Sequence, residues 1–150
     1  MLTAGQQAPE FALTNQNNEV LSLDALRGHN VLVYFYPRAD TPGCTQQACG
    51  LRDIAAQIGD TVVLGVSPDK PPALLRFRDK YALSFDLLSD LDHSVAEAYG
   101  VWKEKKNYGK TYMGIERSAF LIDTGGKLRN VWYKISPKDT PTRLLEALAE

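Results

Sequence analysis

Two continuous runs rich in β-branched and aromatic residues, Val31 to Tyr36 and Thr61 to Val66, interrupt an otherwise mixed polar and apolar chain. Runs of this length without polar alternation are the pattern of strands buried on both faces. Between them Ala48, Leu51, Ile54, Ala55 and Ile58 recur at helical spacing, and Gly59 is expected to end that helix. Strand, helix and strand in this order predict parallel pairing through a right-handed crossover.

The flanking pattern extends this unit. Phe11–Thr14 and Val20–Leu23 surround Asn15, Gln16, Asn17 and Asn18, a turn composition that predicts an N-terminal hairpin. A second helix is expected over 71–81, packing Leu74, Leu75 and Phe77, followed by a short strand at Phe85–Leu88. Asp92 or Ser94 is positioned to cap a helix carrying Val95, Ala98 and Tyr99. Ala119–Ile122 and Leu128–Tyr133 then predict a hairpin around Asp123–Lys127. A C-terminal helix follows, with Thr140 as cap, Pro141 in the first turn and Leu144, Leu145 and Leu148 inward. A β-α-β half, an antiparallel hairpin and a closing helix are the element order of a thioredoxin-like α/β domain. The expectation is one domain over 1–150, a central mixed sheet flanked by helices with an N-terminal hairpin.

Composition adds constraints more than content. With 44% hydrophobic and 23% charged residues the chain reads as a soluble globular protein, and a net charge of −1 gives no reason to expect nucleic acid or an anionic membrane as partner. Residues 1–10 have neither a basic start nor an apolar run, so no secretory signal is expected and a cytoplasmic setting is. No stretch approaches the ~20 apolar residues of a membrane-spanning helix. Lys103, Lys105, Lys106 and Lys110, interleaved with Tyr108 and Tyr112, read as a solvated loop. His29 and His93 lie far apart and outside any zinc spacing, no Gly-rich phosphate loop follows a strand, and no metal or cofactor is expected.

The chemistry concentrates in the segment Tyr36–Cys49, which holds both cysteines of the chain, Cys44 and Cys49. Pro37 and Pro42 stiffen a loop that leaves the first apolar strand, and Cys44 falls where the following helix opens. A helix N-terminus has unpaired N–H groups and partial positive charge, which favour a thiolate, the nucleophilic form of cysteine. Thr41 could cap that helix with its hydroxyl or turn the same oxygen toward a thiolate or an incoming oxygen atom. In a reducing compartment such a cysteine pair is more often catalytic, sensing or metal-binding than a structural staple. Arg117, near a Gly114-Ile115 turn on the approach to a strand, fits either a surface ion pair or a site cation. Arg38 and Arg52 read as solvated, and Asp40 as a turn residue.

Pro37-x-x-x-Thr41-x-x-Cys44 resembles the peroxidatic motif of the peroxiredoxins, and the run from Thr41 to Cys49 is similar to their Q-type, or bacterioferritin comigratory, branch. The likeness extends through Val66–Lys70, Leu88–Asp90, Tyr99–Trp102 and Gly114–Ser118. It implies that Cys44 attacks a hydroperoxide and becomes a sulfenic acid. It also implies that Thr41 and Arg117 are polar partners, that Pro37 shields the site, and that Cys49 resolves the sulfenic acid as a disulfide. The electrons then come from a dithiol protein, for which the resemblance implies a thioredoxin-like reductant. A monomer is the expected state.

In an intact helix, five residues advance ~7.5 Å and turn ~500°, leaving the two Cα atoms roughly 9 Å apart. A disulfide needs about 7 Å or less, so Cys44 and Cys49 can bond only if the helix rearranges, and Gly43 and Gly50 make melting easier. A redox sensor switched by the same disulfide, or a structural domain with incidental thiols, is compatible with the same residues.

Overall fold

Side chains alternate along Val31–Tyr36, and that alternation divides the interior in two. Leu32, Tyr34 and Tyr36 join one buried cluster, Val31, Val33 and Phe35 the other. The computed structural model describes residues 1–150. In chain order its elements are β1 (Ala12–Asn15), β2 (Val20–Ser22), β3 (Val31–Phe35), α1 (Pro42–Asp53), β4 (Val62–Ser67), α2 (Pro71–Lys80) and β5 (Asp86–Ser89). They continue with α3 (Ser94–Ala98), β6 (Trp102–Asn107), β7 (Lys110–Ile115), β8 (Ser118–Ile122), β9 (Leu128–Trp132) and α4 (Asp139–Leu148).

Seven strands form one mixed sheet in the order β2-β1-β5-β4-β3-β8-β9. β3, β4 and β5 run parallel, as the strand-helix-strand pattern predicts, and β1, β8 and β9 pair antiparallel. The N-terminal hairpin forms with Leu13 opposite Leu21. On one face α1, α2 and α4 cover Leu32, Tyr34 and Tyr36, contributing Cys44, Ala48, Leu51, Leu74, Phe77 and Leu144. On the other, Tyr99, Val95 and the N-terminal Ala8 and Phe11 cover Val33, Phe35 and Phe120. No helix is long and apolar enough to cross a membrane.

Four local expectations need correction. α1 ends at Asp53, and Ala55–Gln57 form a separate 3-10 turn, so Gly59, at φ +62, serves the turn before β4 and does not end the helix. Thr140 lies inside α4 instead of capping it, because its hydroxyl donates to Ser136 O at 2.9 Å. At α3, Asp92 Oδ1 does accept the Ser94 N–H at 3.1 Å, but the buried cap is Asp90, which accepts from Val95 at 3.2 Å and Ala96 at 2.8 Å. The lysine-rich stretch is no loop: it forms the β6–β7 hairpin, a two-stranded ribbon pairing Trp102 with Ile115 and Asn107 with Lys110. Its turn is Tyr108-Gly109, both residues at positive φ (52° and 77°), as a two-residue primed turn demands.

Tyr34 sets one tight tolerance in this core. A methyl group at Gly65 on β4 would lie 2.8 Å from Tyr34 Oη and 3.0 Å from Leu87 Cδ2, closer than packed atoms allow. Gly65→Ala is therefore expected to lower the unfolding free energy by about 1–3 kcal/mol, read as a shifted urea midpoint at unchanged slope.

Candidate active site

β3 ends at Phe35, and the loop Pro37–Thr41 carries the chain beyond the carboxyl end of the strand to α1. Thr41 is the N-cap residue, extended at φ −94° and ψ 157°, and Pro42 fills the first helical position, where a missing N–H is no loss. The first intrahelical bond runs from Thr45 N–H to Thr41 O at 2.8 Å. Cys44 thus sits among the unpaired donors of the first turn. Its side chain is buried at 1% exposure, while Cys49, a turn and a half further on, is half-buried, and both thiols are free.

The structure brings Arg117 to Cys44 across 73 residues of sequence. The guanidinium meets Sγ with both terminal nitrogens, Nη2 at 3.4 Å and Nη1 at 3.5 Å. Arg117 occupies the two-residue link between β7 and β8, so the expected Gly114-Ile115 turn is instead the end of strand β7. Its backbone is held by Ile135 N–H, which donates to Arg117 O at 3.0 Å. Gly43 leaves room for the guanidinium, since a methyl there would lie 3.2 Å from Nη2. A methyl at Gly50 would likewise lie 2.8 Å from Pro141 Cγ on α4. Both glycines are packing requirements as well as weak helix formers.

Gln47 was not apparent from the sequence, yet it fixes the arginine. Its Oε1 accepts from Arg117 Nη1 at 2.8 Å, and its Nε2 donates to Thr140 Oγ1 at 2.9 Å. Gln47 and Thr140 are both fully buried, so a continuous chain of bonds ties the cation at Cys44 to α4. The available signal was position: Gln47 is polar and stands one helical turn after Cys44, beside the buried Ala48 and Leu51.

The other sequence candidates fall into place unevenly. Thr41 is adjacent, but its hydroxyl neither caps α1 nor bonds Cys44; it donates to Arg38 O at 2.9 Å, leaving its lone pairs free. Pro37 is partly buried at the loop entrance. Arg52, expected in solvent, donates from Nη1 to Tyr81 O at 2.6 Å. Asp40 is more than a turn residue, accepting from Lys80 Nζ at 2.9 Å and Tyr81 Oη at 2.7 Å. Beneath α1, Tyr34 and Tyr36 stack with centroids 5.5 Å apart, and neither hydroxyl has a hydrogen-bond partner. Burial, first of all, raises both phenols far above their ordinary range; Tyr34 also feels Cys44, Cys49 and the opposing charge of Arg117. Lys105 on β6 lies near the same group. Its ammonium is pushed below its usual value, mainly by burial and then by Arg117.

A buried sulfur at a helix N-terminus, gripped by a guanidinium fork, suits a nucleophile that develops and sheds negative charge. Residues 4–131 match the AhpC/TSA family. Peroxiredoxin Bcp of Escherichia coli K12 is 53% identical over 133 residues, 87% of this chain and 85% of that protein. The chain belongs to the AhpC/TSA peroxiredoxins. This peroxiredoxin is also 45% identical to peroxiredoxin Bcp of Bacillus subtilis over 148 residues, 97% and 94% of the two chains. Its fold is similar to that of a peroxiredoxin Q mutant from Xanthomonas campestris, with a TM-score of 0.91, 32% identity and coverage of 99% and 98%. A Xylella fastidiosa PrxQ mutant superposes with a TM-score of 0.93 at 26% identity, covering 99% and 96%. The thioredoxin-like fold and the thiol-peroxidase activity follow from this membership.

Gln47→Leu strips a partner from Arg117 and from Thr140 together. It should cost about 1–3 kcal/mol of unfolding free energy in urea titrations. Thr140→Ser, which keeps the hydroxyl, should cost clearly less.

Proposed function

We propose that this peroxiredoxin, acting as a single domain over 1–150, reduces hydroperoxides with Cys44 as the attacking thiol and Cys49 as the resolving thiol. The observation that carries the assignment is the pair of 3.4 and 3.5 Å contacts from the Arg117 guanidinium to Cys44 Sγ at the start of α1. Cys44 thiolate attacks one peroxide oxygen, the S–O bond forms, the O–O bond breaks, and the departing oxide leaves protonated as water or an alcohol. Arg117 stabilises the charge that moves from sulfur to the leaving oxygen. Thr41, its own proton committed to Arg38 O, offers an acceptor for the peroxide O–H. Pro37, partly buried at the loop entrance, shields the loop side of the site and presents no N–H of its own.

Resolution requires movement. Both cysteines belong to the unbroken helix α1, so the ~9 Å expected between their Cα atoms exceeds what a disulfide tolerates. The first turns unwind, Cys49 thiolate attacks Cys44 Sγ, the S–O bond breaks, and hydroxide leaves as water. A dithiol protein of thioredoxin type then returns two electrons by thiol–disulfide exchange, restoring both thiols. Hydrogen peroxide and organic hydroperoxides fit the same chemistry. A Xanthomonas campestris bacterioferritin comigratory protein, 31% identical with a TM-score of 0.90 over 98% of each chain, has been solved in connection with alkyl peroxide reduction. A monomer in the cytoplasm, where free thiols persist, completes the reading.

Cys44→Ser should abolish peroxide consumption in a thioredoxin-coupled assay. Cys49→Ser should allow one oxidation of Cys44 per chain and lose disulfide-linked turnover; undiminished turnover would remove Cys49 from the mechanism. Arg117→Met should slow the first oxidation of Cys44 on the order of 10²–10³-fold, the usual loss on removing a donor to developing charge.

A further inference from the structure

Two ties bracket the cysteine helix, and both end on one residue. At the front, Asp40 in the loop before α1 accepts from Tyr81 Oη at 2.7 Å and Lys80 Nζ at 2.9 Å. At the back, Arg52 in the last turn of α1 donates to the Tyr81 carbonyl at 2.6 Å. Lys80 ends α2 and Tyr81 caps it, with the ammonium 5.3 Å from the Tyr81 ring centre. Cys44 and Cys49 both lie between the ties. Cys49 precedes Arg52 by three residues, one turn along the same flank of α1.

Asp40 is also held in an uncommon backbone state, φ +61°, which a non-glycine residue keeps only when its surroundings demand it. Lys80 first and Tyr81 second hold its carboxyl below the usual carboxylate range, and the Asp40 bond holds the Lys80 ammonium above its own. The pair therefore stays charged at neutral pH. Next door, Ala39 N–H donates to Asp69 Oδ2 at 2.7 Å, which anchors the loop from the β4 side and leaves Asp40 as its tie to α2.

We propose that Tyr81 and Lys80 form a latch on Asp40 that holds the start of α1 folded, and that the latch sets how fast the Cys44 sulfenic acid reaches Cys49. The inference rests on the reading of Cys49 as the resolving thiol. While the helix stays folded, the sulfenic acid is shielded from Cys49 and remains exposed to a second hydroperoxide. That competing step forms a second S–O bond, breaks the O–O bond, releases water or an alcohol, and leaves Cys44 as a sulfinic acid. The latch is solvent-exposed, with Lys80 and Asp40 side chains 58% and 42% accessible, so each bond is a modest restraint that thermal motion opens readily. Tyr81 and Lys80 are thus positioning residues, acting on Cys44 through the loop.

The test is single-turnover stopped-flow kinetics with one equivalent of hydrogen peroxide, following sulfenic acid and disulfide formation separately. Tyr81→Phe removes one latch bond and leaves the Arg52 bond to the Tyr81 carbonyl intact; Lys80→Met removes the other. Each should form the Cys44–Cys49 disulfide about two- to tenfold faster than wild type, the span of one modest hydrogen bond, with sulfenic acid formation unchanged. Both should accumulate less sulfinic acid under excess peroxide, and amide exchange of residues 40–46 in the reduced protein should quicken. Wild-type disulfide rates and amide exchange in both variants would overturn the latch while leaving Cys49 as resolver. Failure of the wild type to form the disulfide at all would overturn both.

Discussion

Everything in this site depends on one partly buried contact, the Arg117 guanidinium on Cys44 Sγ. Stripping water from a cation is costly, and so is charge on a buried sulfur; each offsets the cost of the other. The surrounding structure enforces their meeting. Gly43 clears the space, Gln47 takes one guanidinium N–H, Thr140 holds Gln47, and Ile135 holds the arginine backbone. With Arg117, these residues come from α1, α4, the β9–α4 connection and the β7–β8 link. The proposed nucleophile is therefore held by the whole fold and not by its motif alone.

The same helix whose start would favour charge on Cys44 keeps it away from Cys49. A helix start that stabilises charge must be formed, and a disulfide between residues five apart must break it. With Cys49 as the proposed resolving thiol, turnover alternates between two arrangements of residues 42–52. Gly50 packs against Pro141 in the folded form but lowers the cost of leaving it, and the ties at Asp40 and Arg52 are surface bonds of limited strength.

Much of this was legible in the chain itself. Long apolar runs marked β3 and β4, and the Pro/Gly loop before Cys44 marked the helix start, because those residue types act through local backbone physics. What escaped was tertiary. The β6–β7 hairpin was hidden because lysines occupy its strands and a Tyr-Gly pair, not Asn-Gly, makes its turn. Thr140 reads as a cap and the Thr41 hydroxyl as either a cap or a partner for sulfur or oxygen, yet both hydroxyls donate to a backbone carbonyl three or four residues earlier. Gln47 and the Tyr81 ties depend on partners 29 to 93 residues away, which spacing does not reveal.

If Cys44 and Cys49 react only when the start of their helix opens, amide hydrogen exchange over residues 42–52 must differ between the reduced and the disulfide-bonded protein. Helical protection is expected in the reduced form and its loss across the first turns of α1 in the disulfide form. Equal protection in both forms would mean that the disulfide forms without opening the helix.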